Sequence, residues 1–263
     1  MKKQALIVFV TVLFLFFGCS PKINYNMTSV PEEGSIKFTQ FTSDEESVVH
    51  PIITKNKDEI NWYAPPLIAI SPTGDEIAYL GLKNNAWNIM IKSTKGGRAT
   101  LQRTFRDKVL DMAYSPNGEK IAFTEDKDGS KNVYVVNAQS GMAVQQVTST
   151  SADELGPSYS PDSRYIFFTK SESSVVNSTV FKRHYIWSFD TETSLKTQYS
   201  EGFTPSILPD GERMVITRNN KQTGKGEIWL INYVKGRETL LISSSKKGFS
   251  SPQVSPDGEK VLC

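Results

Sequence analysis

The chain has 263 residues, 30 of them Lys or Arg and 28 Asp or Glu, with two His and two Cys. So even a charge balance excludes the basic footprint of a nucleic-acid binder. Two histidines, His50 and His184, cannot build a three-His metal centre, and no His or Cys cluster has zinc spacing.

Residues 1–18 read as a signal peptide. Lys2 and Lys3 form a basic start, Ala5 to Phe17 is apolar except for Thr11, and Gly18 precedes Cys19. The apolar run is short for a membrane span. A Cys directly after a small residue resembles the bacterial lipoprotein signal, in which the Cys is lipidated and becomes the mature N-terminus. Removing Lys2 and Lys3 brings the net charge to zero, and lipidation of Cys19 leaves Cys263 without a disulfide partner, so stability must come from the core. Residues 19–34 (CSPKINYNMTSVPEEG) are polar and unpatterned and read as a tether.

From residue 35 to 263 the chain is a repeat. Ser71-Pro72-Thr73-Gly74, Ser115-Pro116-Asn117-Gly118, Ser160-Pro161-Asp162-Ser163, Leu208-Pro209-Asp210-Gly211 and Ser255-Pro256-Asp257-Gly258 each lead into an apolar run, and the prolines are 44, 45, 48 and 47 residues apart. Each unit has four strokes. A first strand ends at the Pro, and a tight turn follows in which Gly, Asn or Asp supplies the positive backbone angles required. A second strand is apolar (77–80, 121–124, 166–169, 213–218). A third carries bulky residues (88–91, 132–136, 185–189, 227–231), and a fourth is shorter and polar (99–104, 143–148, 195–200, 237–243). Four short antiparallel strands in about 45 residues make a β-propeller blade. Three residues before each Pro lie Ala69, Ala113, Ser158, Ser206 and Gln253, mostly small, as an inner strand near an axis requires.

The SPDG turn, the apolar triplet, the third strand of [ND]-I-[YW] type and the Q-x-T-like ending together resemble the propeller repeat of the TolB family, a repeat also found in dipeptidyl-peptidase-IV-like enzymes. The resemblance covers about residues 36–263. Trp62, Trp87 and the insertion at 171–183 stand outside it. The expected fold is all-β: four complete blades plus a partial fifth.

The segment Ser35–Ser43 ends in QFTS and matches a fourth strand with no first three, the velcro by which a propeller closes its last blade. Ser250 to Cys263 supplies only the beginning of that blade. Cys263 falls at the core position of Tyr79, Phe123, Phe168 and Ile216. The chain therefore reads as a truncated form of a six- or seven-bladed propeller, the alternative being a five-bladed closure with a defective last blade.

Catalytic motifs are missing. There is no G-x-S-x-G elbow and no GxxxxGK[ST] loop. Asp126-x-Asp128-Gly129 lacks the further carboxylates of a calcium loop and reads as a turn between strands. No cofactor and no metal is expected. The residues preceding the first strands, at the expected mouth of a central channel, are Trp62, Tyr63, Asp111, Glu154, Phe203 and Phe249; aromatics with a few acids at a concave mouth suit a peptide or sugar.

These features predict a non-enzymatic binding module, membrane-anchored through lipid on Cys19. The resemblance to TolB implies an envelope scaffold, an outer-membrane lipoprotein facing the periplasm, with an envelope protein or peptide as partner and no nucleic acid. The alternative is the propeller of a peptidase or polysaccharide-degrading enzyme whose catalytic part is absent from this chain. The anchor is directly testable: metabolic labelling with a fatty-acid analogue marks the protein, and Cys19→Ala abolishes the mark. Persistent label on the variant excludes lipidation at Cys19.

Overall fold

The repeat turn sets the geometry of each blade. In all five units the residue three after Ser or Leu has a left-handed backbone: Gly74 (φ 74°), Gly118 (75°), Ser163 (64°), Gly211 (68°) and Gly258 (73°). Its N–H closes the turn on the carbonyl of Ser71, Ser115, Ser160, Leu208 or Ser255 at 2.8–3.0 Å. Glycine takes this conformation without a Cβ penalty, which explains its recurrence in the phrase. Where Ser opens the turn, its hydroxyl accepts the N–H five residues on, from Glu76, Lys120, Tyr165 or Lys260, at 2.8–3.0 Å. The chain is thereby folded back into the second strand.

The computed structural model describes residues 68–263 except 84–85, 96–100, 105–107, 143 and 177–178, and its regular elements are all strands. The signal segment, the tether and Ser35–Ser43 lie outside the described residues. The first blade comprises β1 (Ile68–Ile70), β2 (Glu76–Lys83), β3 (Ala86–Ser93) and β4 (Leu101–Gln102). The second comprises β5 (Val109–Tyr114), β6 (Lys120–Lys127), β7 (Ser130–Asn137) and β8 (Gln145–Gln146). The third comprises β9 (Asp153–Tyr159), β10 (Tyr165–Val176), β11 (Thr179–Asp190) and β12 (Lys196–Glu201). The fourth comprises β13 (Phe203–Ile207), β14 (Arg213–Asn219), β15 (Gly226–Asn232) and β16 (Arg237–Ile242). A partial fifth pairs β17 (Gln253–Val254) with β18 (Val261–Leu262). Every complete blade is an antiparallel meander in chain order, and the first strands β1, β5, β9, β13 and β17 touch in succession. This is the expected propeller of four complete blades and part of a fifth.

The apolar second strands are explained by their position. Alternate residues of a strand face opposite sides, and here both sides are covered. Ile121 and Phe123 pack on the first blade, with Leu80, Ile89 and Ile91, whereas Ala122 packs on the third with Ile166 and Phe168. Phe167 points the other way, toward Met214 and Ile216 of the fourth blade. Val215 in turn meets Val254 and Val261 of the fifth. The core is thus a series of layers between sheets, which is why these strands read as unbroken apolar runs instead of alternating ones.

The third-strand Asn and the fourth-strand Thr form a lock. Thr104 Oγ1 donates to Asn88 Oδ1 (3.0 Å) and accepts Ile89 N–H (2.9 Å). Thr148 repeats this with Asn132 (3.4 Å) and Val133 N–H (2.9 Å). In the fourth blade Glu227 replaces Asn and accepts from Ser243 at 2.9 Å. The lock holds the short outer strand where few ladder bonds are available.

Asp128-Gly129 is a two-residue hairpin turn with φ of 54° and 82°, between Lys127 and Ser130 of β6 and β7, the pattern of a type I′ turn. The 171–183 insertion departs from the polar loop expected between second and third strands. It continues the hairpin: β10 and β11 pair in register from Tyr165↔Asp190 to Val176↔Thr179. The register sets Glu172 opposite Arg183, a cross-strand combination of opposite charges that favours pairing. Cys263 is exposed, because β17 and β18 form only a two-stranded sheet among the described residues.

Two substitutions separate core from turn. Phe123, fully buried, leaves a large cavity on conversion to Ala, and Phe123→Ala lowers unfolding free energy by about 3–5 kcal/mol. Gly118→Ala retains all packing but forces an L-residue into the left-handed region, at a cost of about 1–2 kcal/mol. Urea denaturation of both variants measures the difference.

Candidate functional site: the axial cavity

The first strands are irregular at one place. Gly156-Pro157, Thr204-Pro205 and Ser251-Pro252 each lie five and four residues before the repeat Pro, and the first of each pair is left-handed (φ 67°, 53° and 52°). Pro has no N–H for the ladder, and the register slips there: across 156–157 in β9 and across 204–205 in β13. This is a bulge, with two residues opposite one. The N–H of the left-handed residue turns out of its own sheet and is taken by the preceding blade. Gly156 N–H donates to Asp111 Oδ2 (3.0 Å), Thr204 N–H to Thr169 Oγ1 (3.0 Å) and Ser251 N–H to Thr217 Oγ1 (3.1 Å).

These staples bound a cavity of about 280 Å³ enclosed by β1, β5, β9, β13 and residues 251–253. Its wall includes Ala69, Ala113, Ser158, Ser206 and Gln253, the small series expected of inner strands, which are thus placed on the cavity. Ser206 Oγ accepts Val254 N–H from the next unit (3.1 Å). Ser251 Oγ is buried and has no hydrogen-bond partner among the described residues, a polar atom available to a ligand. Tyr114 also lines the space; burial, and then the neighbouring Glu76 carboxylate, push its phenol pKa upward, so it stays a neutral hydroxyl. Carbonyls, hydroxyls and small apolar groups in a rigid frame suit recognition of an uncharged or extended chain.

The residues expected at the channel mouth are distributed differently. Trp62, Tyr63 and also His50 lie outside the described residues. Asp111, fully buried, accepts Thr124 N–H at 2.9 Å with Oδ1 and Gly156 N–H with Oδ2, joining two blades. Glu154 is buried on β9; Oε1 accepts from Thr150 Oγ1 (2.8 Å) and Oε2 has no hydrogen-bond partner among the described residues. Phe203 is buried, edge-on to His184 with centroids 5.5 Å apart. Phe249 packs against the fourth blade and its N–H donates to Gly226 O (2.9 Å). None of these four is among the residues that line the cavity, although each lies within two residues of one that is. The Gly-Pro, Thr-Pro and Ser-Pro bulges were missed in the sequence; their signal was a second Pro four residues before Pro161, Pro209 and Pro256.

Asp153, Ser171 and His184 occupy one row across β9, β10 and β11. Ser171 Oγ is 2.7 Å from His184 Nδ1, and Asp153 pairs with Lys131 (2.8 Å). Ser stands between Asp and His, whereas a hydrolytic triad requires the imidazole in the middle. Burial, and after it the Lys182 charge, lower the His184 pKa to about 4, against the opposing pull of Asp153 and Glu201. Among the described residues no three His, Cys, Asp or Glu side chains are grouped to hold a metal.

Two outcomes follow from this geometry. Asp111→Ala leaves two buried amides from different blades without acceptor and costs about 3 kcal/mol in urea unfolding, Asp111→Asn less, since one acceptor oxygen remains. For His184 the unfolded chain binds a proton near pH 6.5 that the folded protein refuses until about pH 4. Stability from this group is therefore unaffected above pH 6.5 and is lost as pH falls through the window down to about 4. The melting temperature of His184→Gln declines less between pH 7 and pH 4.5 than that of the unsubstituted protein.

Comparison with curated proteins finds no match. Among solved structures the chain is similar to TolB from Acinetobacter baumannii, at 17% identity and a TM-score of 0.57, over 74% of this chain and 47% of that one. It is similar to a putative TolB from Agrobacterium tumefaciens, at 20% identity and a TM-score of 0.58, over 74% and 67%. It is also similar to an oligogalacturonate lyase solved in complex with manganese, at 14% identity and 0.57, over 76% and 62%. The chain thus spans about half to two thirds of the length of these proteins, and at such identities the likeness concerns the fold. The family model described as TolB beta propeller domain matches residues 20–263. With its turn, its blade and its axial wall all built on that repeat, the chain belongs to the TolB β-propeller domain family.

Proposed function

We propose that this protein is an envelope lipoprotein in which lipid on Cys19 tethers a non-catalytic propeller, and that the propeller binds a protein or peptide partner at its axial cavity. The observation that carries the reading is the cavity wall. It offers hydroxyls and small side chains from five successive units, held by inter-blade hydrogen bonds. A rigid frame of this kind loses little conformational freedom when it captures an extended segment. Trp62 and Tyr63, which precede β1 in the sequence and lie outside the described residues, are the proposed aromatic contacts. Family membership supports an envelope location, with the chain on the periplasmic side of the outer membrane. The neutral His184, on the wrong side of its serine for a triad, favours binding over catalysis.

A photo-cross-linking amino acid at Gln253, an exposed cavity residue, tests this against the same group at Thr239 on the exposed outer strand β16. In intact cells Gln253 yields a discrete adduct and Thr239 does not, and Cys19→Ala abolishes the adduct. Equal labelling from both positions, or none from Gln253, refutes the cavity as the binding site. Turnover of an oligogalacturonate or peptide substrate by the purified chain refutes the non-catalytic reading.

A further inference from the structure

A second cavity, of about 540 Å³, lies between the third and fourth blades, away from the axis. Its inner wall is aromatic. Phe167 stands 5.6 Å from Tyr199 and 5.2 Å from Tyr233, and the two tyrosines are 5.5 Å apart at 66°. Hydrogen bonds orient both phenols: Tyr199 with Ser188 (3.2 Å), and Tyr233 donating to Gly211 O. Asp162 and Asp210, both exposed, also line it, with Leu195 from the third blade and Val234 from the fourth, each 64% exposed.

The corresponding gap between the first and second blades shows what such a space takes. Gln102 pairs with Met90 as Gln198 pairs with Trp187, so Arg103 is the counterpart of Tyr199. Ala138, following Asn137 of β7, is likewise the counterpart of Tyr233, following Asn232 of β15. Arg103 is only 8% exposed; its Nε donates to Ala138 O at 2.6 Å, and its charge acts on Tyr114, which also senses Glu76. In that gap the chain buries its own guanidinium, bonded to a backbone carbonyl of the second blade.

A guanidinium, a ring and a carboxylate are grouped twice in the third and fourth blades, the first time at the wall of the cavity between them. Arg164 lies 5.2 Å from the Tyr165 ring and pairs with Asp190 at 2.7 Å; Arg218 lies 4.6 Å from Trp229 and pairs with Glu238 at 2.9 Å. In the cleft between the third and fourth blades Asp190 is already paired with Arg164, but among the described residues no guanidinium lies over the Tyr199 or Tyr233 ring. Arg213 pairs with Asp210, but Asp162 has no ion-pair partner among the described residues. The phenol of Tyr233 is pushed upward by burial first, and then by Tyr199, Asp210 and Asp162, so both carboxylates act on the aromatic wall.

We propose that this inter-blade cleft is a docking site for an arginine side chain flanked by apolar residues, presented by a peptide segment of a partner. Guanidinium over aromatic faces, with an exposed carboxylate at the rim that has no ion-pair partner among the described residues, is a favourable pairing. The exposed Leu195 and Val234 give apolar neighbours of that arginine a surface on each side, which a free small cation does not use.

The test measures binding of acetyl-Leu-Arg-Leu-amide to the full chain by calorimetry at low salt. The comparisons are the citrulline isostere of that peptide and acetyl-arginine-amide. Asp162→Asn is the protein variant. It preserves the turn, because Asn117 occupies the same place in the second blade and accepts the same Ser Oγ and N–H bonds. The expected result is binding of the arginine peptide at least fivefold tighter than the citrulline peptide, reduced about fivefold in Asp162→Asn at unchanged melting temperature. Equal affinity for arginine and citrulline peptides overturns the cation site. Equal affinity for acetyl-arginine-amide overturns the peptide source. Undiminished binding to Asp162→Asn places the ligand elsewhere and also overturns the proposal.

Discussion

The constraint that organises the molecule is that a blade buries both faces of its sheet and therefore has no shape of its own without neighbours. Ile121 and Ala122 are adjacent in sequence but belong to different core layers, one shared with the first blade and one with the third. Layer packing fixes the distance between sheets but is poor at fixing how they slide, since apolar contact has little direction. The hydrogen bonds from the left-handed residues supply the direction. Each ties a backbone N–H of one inner strand to a single side chain of the blade before it, so the axial wall is held in register by bonds that cross every later junction.

That wall also explains how the repeat tolerates change. One task, accepting the N–H of the next bulge, is performed by Asp111 at the second junction and by the hydroxyls of Thr169 and Thr217 at the following two. Thr124 is the counterpart of those threonines, and its Oγ1 is buried without a hydrogen-bond partner, because Asp111 has taken the bond and also holds Thr124 N–H. In the third blade the position of Asp111 is Gly156, and the threonine acts instead. The two positions are therefore coupled: the identity of one decides whether the other is used.

Much of the fold could be read from the repeat because its signals are local. The SPDG phrase encodes a left-handed turn residue, and the apolar triplets encode double-sided burial. The alignment of second, third and fourth strands follows from them. The extension of β10 and β11 could not be read in this way. Residues 171–183 break the repeat pattern, and only cross-strand pairs such as Glu172 with Arg183 show that they continue the hairpin. The site was less legible. Asp111 and Glu154 look like mouth carboxylates in sequence, since acidic residues ahead of a strand are normally solvated. Which face of a bulged strand they take depends on a slip of one register position that periodicity alone does not reveal.

The same bulge separates the two cavities by chemistry as well as by place. At the axis, the residue three before the repeat Pro is short in four of the five units (Ala69, Ala113, Ser158 and Ser206), because the inner strands converge there. Between the outer parts of the blades, the space widens and each junction is filled by whatever its own two units provide. Arg103 with Ala138 fills the first junction, and Tyr199 with Tyr233 leaves the third open. The axial wall thus varies little from unit to unit, whereas the inter-blade gaps are individual. A single gap can acquire a ligand without disturbing the three inter-blade bonds that position the axial wall, because none of the staple residues lines it.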